Sequence, residues 1–391
     1  MKGPIRRCVK ALGKIACALL VLLTLPEGVG GPRSAPAEES AWKSVAGPCN
    51  LAFPEDHGAH PDYRVEWWYC TGNLETDRNE RFGYQLTFFR YGAAPPGTEK
   101  EWPRPASAWR ASQIYFAHAA ISDISGNRHL SRDLAARSAL DLSGVAQEHG
   151  KTRIHLRNWS AEIGPSDILL DADAGDFGIH LVLMAVKDVV LHGRKGYSMK
   201  GTTPERASCY YSFTRLDTEG ELTLDGRKVR VHGESWMDHE FSTAPLEPGI
   251  VGWDWFSLQF SDGSEIMFYL LRMQDGAINA ASSGTFVDPS GKGVHLPLEA
   301  LSVSVQDHWR SPRTGAVYPS GWKIRVREAG LDLTVTPNLP DQEMSTPEST
   351  GVTYWEGSVA VTGAGRNGAP LSGSGYVELT GYAGPTGERL R

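Results

Sequence analysis

The sequence predicts an all-β fold class, two antiparallel β-domains in tandem, each a barrel or a sandwich, with few short helices, and three observations predict it. Short aromatic and β-branched strands follow one another from Tyr63 onward, separated by Gly- and Asp-bearing turns. An aromatic hairpin near the start of this region recurs in the second half of the chain. A strand of aromatic-x-acid pattern closes each half.

The first residues set the expected compartment. Lys2, Arg6, Arg7, Lys10 and Lys14 precede an apolar run over 15–25, and Pro26 with small residues follows. This is the layout of a cleavable secretory signal, with small-residue cleavage options after Gly30 or Ala37. The mature chain is expected to begin between Gly31 and Glu38. The apolar run is too short for a stable bilayer anchor. Arg6-Arg7 invites a twin-arginine reading that the flanking residues fit poorly, so the export route stays open. Cys17 starts the apolar run, where a lipoprotein cysteine would not stand. The expected organisation is a signal peptide at 1–37, a lead-in at 38–60, a first barrel at 61–243 and a second at 244–391. The expected location is periplasmic or extracellular, with no stable membrane span after cleavage.

Charge narrows the partners. The whole chain carries −7, and removing 1–37 takes away six basic residues and one acidic residue, which leaves −12. Nucleic-acid binding requires Lys and Arg to neutralise phosphates, so no nucleic-acid partner is expected. Cys49, Cys70 and Cys209 remain after processing. An odd count permits at most one internal disulfide, and buried or tolerated thiols are the plainer reading.

Along the chain, 38–60 shows no period and reads as a lead-in. Residues 64–71 form an aromatic strand, 75–80 a polar turn, and 82–91 a returning strand. That strand has Tyr84, Leu86 and Phe88 on one face and Gln85, Thr87 and Phe89 on the other. Further strands are expected at 113–122, 152–159, 178–186, 210–216 and 228–231. A helix is expected over 133–145, the one stretch with a helical period. Residues 251–272 replay the first hairpin: Trp253 and Trp255 align with Trp67 and Tyr69, and Arg272 aligns with Arg90. Gly233 to Asp238 likewise resembles Gly373 to Glu378. Trp253 stands 186 positions after Trp67, one domain length and too long for a solenoid repeat. In a barrel the last strand pairs with the first, which explains why these two strands kept their pattern.

The stretches DYRVEWWYCTGNL, FGYQLTFFR, HGRKGYSMK, CYYSFTRL, GESWMDHEFS and GWDWFSLQF, in that order, resemble the AttH-like / carotenoid 1,2-hydratase family. The resemblance runs from about residue 50 to the C-terminus. It implies two lipocalin-like barrels and, in some members, hydration of a terminal isoprene double bond. Other members are named secreted hydrolases.

Standard hydrolase motifs are missing. Gly233-Glu234-Ser235-Trp236-Met237 lacks the closing Gly of a nucleophile elbow. His239-Glu240-Phe241-Ser242-Thr243 has Thr where a zinc protease needs its second His. Acids beside tryptophans remain. Hydrating an unactivated alkene takes a carboxylic acid kept protonated by burial and aromatic faces that stabilise a carbocation, with no cofactor and no metal. Asp238, His239, Trp236 and Asp254 are the candidate catalytic residues: Asp238 as the acid, His239 beside it to set its protonation state or orient a water, Trp236 to face a developing cation, and Asp254 between Trp253 and Trp255 as a second acid. Trp67, Tyr69, Gln85, Arg90, Tyr197, Trp253, Trp255 and Arg272 are candidate ligand-binding residues, the partner expected being an apolar small molecule. Alternation places Trp236, Asp238 and Glu240 on one face and sets Asp254 opposite its two tryptophans.

Each candidate has a plainer structural reading. Asp238 and Asp254 can serve as buried carboxylates that satisfy backbone donors or pair with Arg90 or Arg272. Glu66 reads as a partner for Arg90, and His118 as a core histidine. His57 and His60 make a poor metal site without further ligands. The glycines of 187–200, around His192 and Tyr197, either cover a barrel mouth or simply serve turns. Two functions stand: a cofactor-free hydratase, or a non-catalytic carrier of an apolar molecule in the cell envelope.

Overall fold

The computed structural model describes residues 41–244 and 246–384, so the export signal expected at 1–37 and the start of the lead-in lie outside the described residues. Strands make up two nearly closed antiparallel barrels. The described helical segments are single 3-10 turns at Glu55–His57, Thr98–Glu101, Leu298–Ala300 and Arg366–Gly368.

The first barrel opens with Val65–Glu75, which pairs with Arg81–Gly92 from Val65 opposite Tyr91 to Glu75 opposite Arg81. On its other side it pairs with the closing strand Arg227–Ser242. From there the sheet continues through Ala207–Leu224 and Phe177–Ala185 to the edge strand Ser143–Glu148, and in the other direction through Gln113–Asp123 to Arg128–Arg137. The second barrel repeats the plan. Its opening strand Ile250–Phe260 lies between Glu265–Met273 and the closing strand Pro370–Leu379, next to which runs Thr353–Ala364. The two aromatic hairpins therefore open two separate sheets, each closed by its own last strand. The duplication read from the sequence holds.

Alternation sorts the side chains. Trp68, Cys70, Phe82, Tyr84, Leu86 and Phe88 turn into the first barrel, where they join Trp159, Leu181, Phe213 and Met237 in one core. Phe256, Leu258, Phe268, Trp322 and Val377 fill the second. Burying each such large side chain contributes about 1.5–3 kcal/mol, and the packed interiors leave the outward faces to build anything else. Those faces meet: Tyr69, Tyr210 and Trp236 of the first barrel pack with Trp255, Tyr269 and Tyr376 of the second.

Three expectations are corrected. The helix expected over 133–145 is two strands, Arg128–Arg137 and Ser143–Glu148. Pairing of His118 with Asp133 along Gln113–Asp123 outweighs the local helical period, and Leu140 and Asp141, both with positive φ, break the chain between them. The strand expected at 228–231 runs on to Ser242, and that at 152–159 is divided in two at Arg157, again at positive φ. Cys49 and Cys209 form a disulfide, while Cys70 is a buried free thiol. No helix among the described residues is long and apolar enough to cross a membrane.

The described part of the lead-in, from residue 41, is packed onto the first barrel. Trp42 and Val45 are buried, and Cys49 ties the segment to Ala207–Leu224. His57 O accepts from Trp68 Nε1 at 3.0 Å, so the segment plugs one end of the first barrel.

Candidate functional site

The layer between the barrels is built by register. Tyr69 on the opening strand stands opposite Asp238 on the closing strand, which stands opposite Ser212. In the second barrel the equivalent row is Trp255, Glu378 and Glu356. The repeat thus sets Asp238 and Glu378 at corresponding places on two sheets that face each other.

Cross-barrel hydrogen bonds join the rows. Tyr69 OH donates to Glu356 Oε1 at 2.6 Å. Trp255 Nε1 donates to Tyr210 OH at 3.1 Å, and Tyr210 OH donates to Asp238 Oδ2 at 2.6 Å. Ser212 Oγ and Trp236 Nε1 both donate to Asp238 Oδ1. Trp253 Nε1 donates to Glu378 Oε2 at 2.8 Å. Behind Ser212 stands His192, whose Nε2 lies 2.6 Å from Ser212 Oγ and whose Nδ1 lies 2.9 Å from Thr285 Oγ1 of the second barrel. With Ser212 donating to Asp238, His192 Nε2–H donates to Ser212 and Nδ1 accepts from Thr285.

Asp238 is 3% exposed. Burial pushes its carboxyl up to about 7, against the pull of Ser212, Tyr210 and Trp236, with the Glu240 charge adding to the rise. Burial likewise lifts Glu378 to about 7 and holds Glu356, with Glu378 nearby, well above the carboxylate range. Burial lowers His192 to about 3, so it is neutral. Lys200 supplies a positive charge: its Nζ lies 3.1 Å from Glu240 Oε1 and over the rings of Tyr269, 3.9 Å from the centroid, and Tyr210, 4.8 Å.

The segment from Lys187 to Lys200 is inserted between the barrels. Lys187 Nζ binds Glu265, His192 reaches Thr285, and Ser198 Oγ lies 2.9 Å from Tyr269 OH. Gly193 and Gly196 serve its turn at positive φ, and a Cβ on Gly193 would fall 2.1 Å from Tyr197 O. The lead-in lies against the turn, with Cys49 N donating to Lys195 O at 3.0 Å.

Of the candidates, Trp236, Asp238, Trp67, Tyr69, Gln85, Trp253 and Trp255 come together in this layer. The others do not. His239 faces the other way, into the first barrel, where its Nε2 donates to Glu66 Oε1 at 2.9 Å and Tyr211 OH lies 2.7 Å from its Nδ1. Adjacency to Asp238 in sequence puts it on the opposite side of the strand, so it does not govern Asp238. Arg90 is fully buried with Glu66, its Nε 2.7 Å from Oε2, the pairing read from the sequence. Asp254 sits at an end of the second barrel, held by Arg272 Nε at 2.8 Å and Tyr382 OH at 3.0 Å. Tyr197 packs with Val45, Cys209 and Phe241 and donates to Pro204 O.

His60, Glu66 and His239 bring potential metal-ligand atoms within 4.8 Å of one another. Here Arg90 and His60 already supply positive charge to Glu66. His60 Nδ1 and Nε2 lie 2.7 and 2.9 Å from the Glu66 and Asp56 carboxylates, which hold the imidazole protonated beyond its ordinary range. The cluster is an ion-pair network that fixes the lead-in plug.

Sequence reasoning passed over Tyr210, Ser212, Lys200, Glu356 and Glu378 as site residues. Glu378 was within reach through its alignment with Asp238. Tyr210 and Ser212 stand in the CYYSFTRL stretch, and Glu356 is identified only by the register of Thr353–Ala364.

A crystal structure of a Nitrosomonas europaea protein named as an AttH is 33% identical, superimposes with a TM-score of 0.76, and covers 87% of this chain and 99% of that one. Kievitone hydratase from Nectria haematococca shares the fold at 16% identity and a TM-score of 0.63, over 88% and 96% of the two chains. CghA with Sch210972 shares it at 16% identity and a TM-score of 0.51, over 83% and 90%. No curated protein matches. The AttH-like family profile matches residues 44–382, and the chain belongs to the AttH-like family.

Proposed function

We infer that this protein is an exported, cofactor-free hydratase that adds water to an alkene of an apolar, isoprenoid or lipid-like molecule, with Asp238 as general acid. The observation that carries this reading is the Asp238 carboxyl, buried where the Trp236 indole N–H, the Tyr210 hydroxyl and the Ser212 hydroxyl reach it, and pushed up by burial to about 7. A general acid works best when its pKa lies near the working pH. Protonation of one alkene carbon by Asp238 leaves a tertiary carbocation at the other. The indoles of Trp236 and Trp255 and the phenol of Tyr69, packed in the same layer, present the electron-rich faces such a cation needs. Water then forms the C–O bond, and the proton it sheds returns to Asp238. The His192–Ser212 chain keeps Asp238 oriented. The two-barrel scaffold also carries a protein named as a hydratase, kievitone hydratase, which speaks for the fold alone.

The carrier reading finds less support. A carrier of the lipocalin kind holds its ligand inside the barrel, and here both interiors are filled by side chains such as Trp68, Phe88, Phe256 and Trp322.

The test begins with protein purified from its host envelope and native mass spectrometry for a bound apolar molecule. The organic extract is then incubated with the protein in oxygen-18 water. The hydratase reading expects a product heavier by one labelled water, absent with Asp238→Asn. A bound molecule recovered unchanged makes the protein a carrier.

A further inference from the structure

Two buried polar atoms in the inter-barrel layer have no hydrogen-bond partner: Gln85 Oε1 and Glu356 Oε2. Their residues are each 1% exposed. Each has used its other polar atom, Gln85 Nε2 donating to Thr87 Oγ1 and Glu356 Oε1 accepting from Tyr69 OH. Their placement brings them to one level. Two residues before Gln85, Gly83 meets the Ser358 side chain. Two residues after it, Thr87 pairs with His118, whose Nδ1 lies 2.8 Å from Tyr354 OH. Gln85 therefore stands on the stretch of its strand that faces Tyr354 to Ser358, the segment whose middle residue is Glu356. Ala120, the other cross-strand neighbour of Gln85, packs in the same cluster as Tyr354.

The two free atoms are complementary. An amide oxygen only accepts. A carboxyl held neutral by burial carries a hydrogen on the oxygen that Tyr69 does not engage, and that oxygen donates. Buried polar atoms in folded proteins are almost always satisfied, and a pair of opposite character on facing sheets fits one water molecule, which accepts from one and donates to the other.

We propose that Gln85 and Glu356 together bind the water that serves as second reactant, an assignment that rests on the hydratase reading of the same layer. Tyr69 joins the two parts, since it donates to Glu356 and stands opposite Asp238 in the strand register. The alkene π pair takes the proton of Asp238 and forms a C–H bond, which leaves the Asp238 carboxylate and a carbocation. A lone pair of the held water forms the C–O bond, and the oxonium proton returns to the Asp238 carboxylate. Alkene plus water gives alcohol, and the acid is regenerated. Glu356 keeps its proton throughout and orients the water, and Gln85 aims its second hydrogen away from the cation.

The experiment is a crystal structure of the mature protein at atomic resolution, with Gln85→Met and Glu356→Gln beside it. The expected result is an ordered water within hydrogen-bond distance of both Gln85 Oε1 and Glu356 Oε2, lost in Gln85→Met and kept in Glu356→Gln. With a substrate in hand, Gln85→Met lowers kcat about tenfold or more and leaves KM within about twofold. A wild-type structure in which either atom bonds a protein group, or in which no water bridges them, overturns the proposal whether or not the variants fold. A bridging water in a protein that fails the oxygen-18 test overturns the hydratase reading and leaves the water site standing.

Discussion

Asp238→Asn separates acid chemistry from architecture because the two roles move stability in opposite directions. Asparagine keeps the shape and retains one oxygen to accept from Ser212 and Trp236. Its amide nitrogen faces Tyr210 OH, which already accepts from Trp255, so about one hydrogen bond worth ~1 kcal/mol is at stake. Against that stands the cost of ionising a buried acid. The carboxyl moves from 3.8 in the unfolded chain to about 7 in the fold. Its contribution to stability is thus complete below the unfolded value and is lost as pH rises toward 7, by roughly 4 kcal/mol in full. The variant has nothing to ionise. Melting curves are therefore expected to show Asp238→Asn within about 1 kcal/mol of wild type at pH 5 and more stable than wild type at pH 8. Turnover per folded molecule should fall by about 100-fold or more, the scale of a lost general acid. A melting temperature that drops at both pH values, with turnover intact, refutes the reasoning and makes Asp238 a structural carboxylate.

Other consequences follow from the same contacts. Glu66→Gln leaves Arg90 buried without its countercharge and should cost about 3–5 kcal/mol in chemical denaturation, with turnover per folded molecule unchanged; a loss of less than about 1 kcal/mol would contradict the burial. Replacing Cys49 and Cys209 by Ser should cost roughly 2–5 kcal/mol and raise hydrogen exchange across 187–200, whose turn lies against Cys49; unchanged protection there would detach the lead-in from that segment. His118, buried against Tyr354 and Ser349, is lowered by burial to about 3. Its share of stability is present above about 6.5 and lost as pH falls, up to roughly 5 kcal/mol, so His118→Gln should flatten the acid side of the stability profile, and an unaltered slope would show that His118 takes up its proton in the folded state.

Much of this was legible in the chain because strand alternation is a strict period of two. Trp67 and Tyr69 against Trp68 and Cys70, or Gln85 against Leu86, separate into interface and core as the pattern requires. The same period sets His239 apart from Asp238, although adjacency invites pairing them. Long-range register was not legible. Glu356 reaches the layer only because Thr353–Ala364 pairs with Pro370–Leu379 one row from Trp255, and nothing local in Thr353–Ala364 signals that. The Cys49–Cys209 pairing spans 160 residues and has no local signature. The mistaken helix at 133–145 has the same origin, since its Leu and Ala residues satisfy a helical period while an adjacent strand offers the stronger partner.

The central claim is that burial lets Asp238 hold its proton up to the neutral range, and infrared difference spectroscopy of wild type against Asp238→Asn tests it most directly. As pH is raised, the account predicts a protonated carboxyl band present in wild type, absent in the variant, and lost with a midpoint near 7. A midpoint near 4, the ordinary aspartate value, would contradict it and leave Asp238 an ionised carboxylate tied down by Ser212, Tyr210 and Trp236.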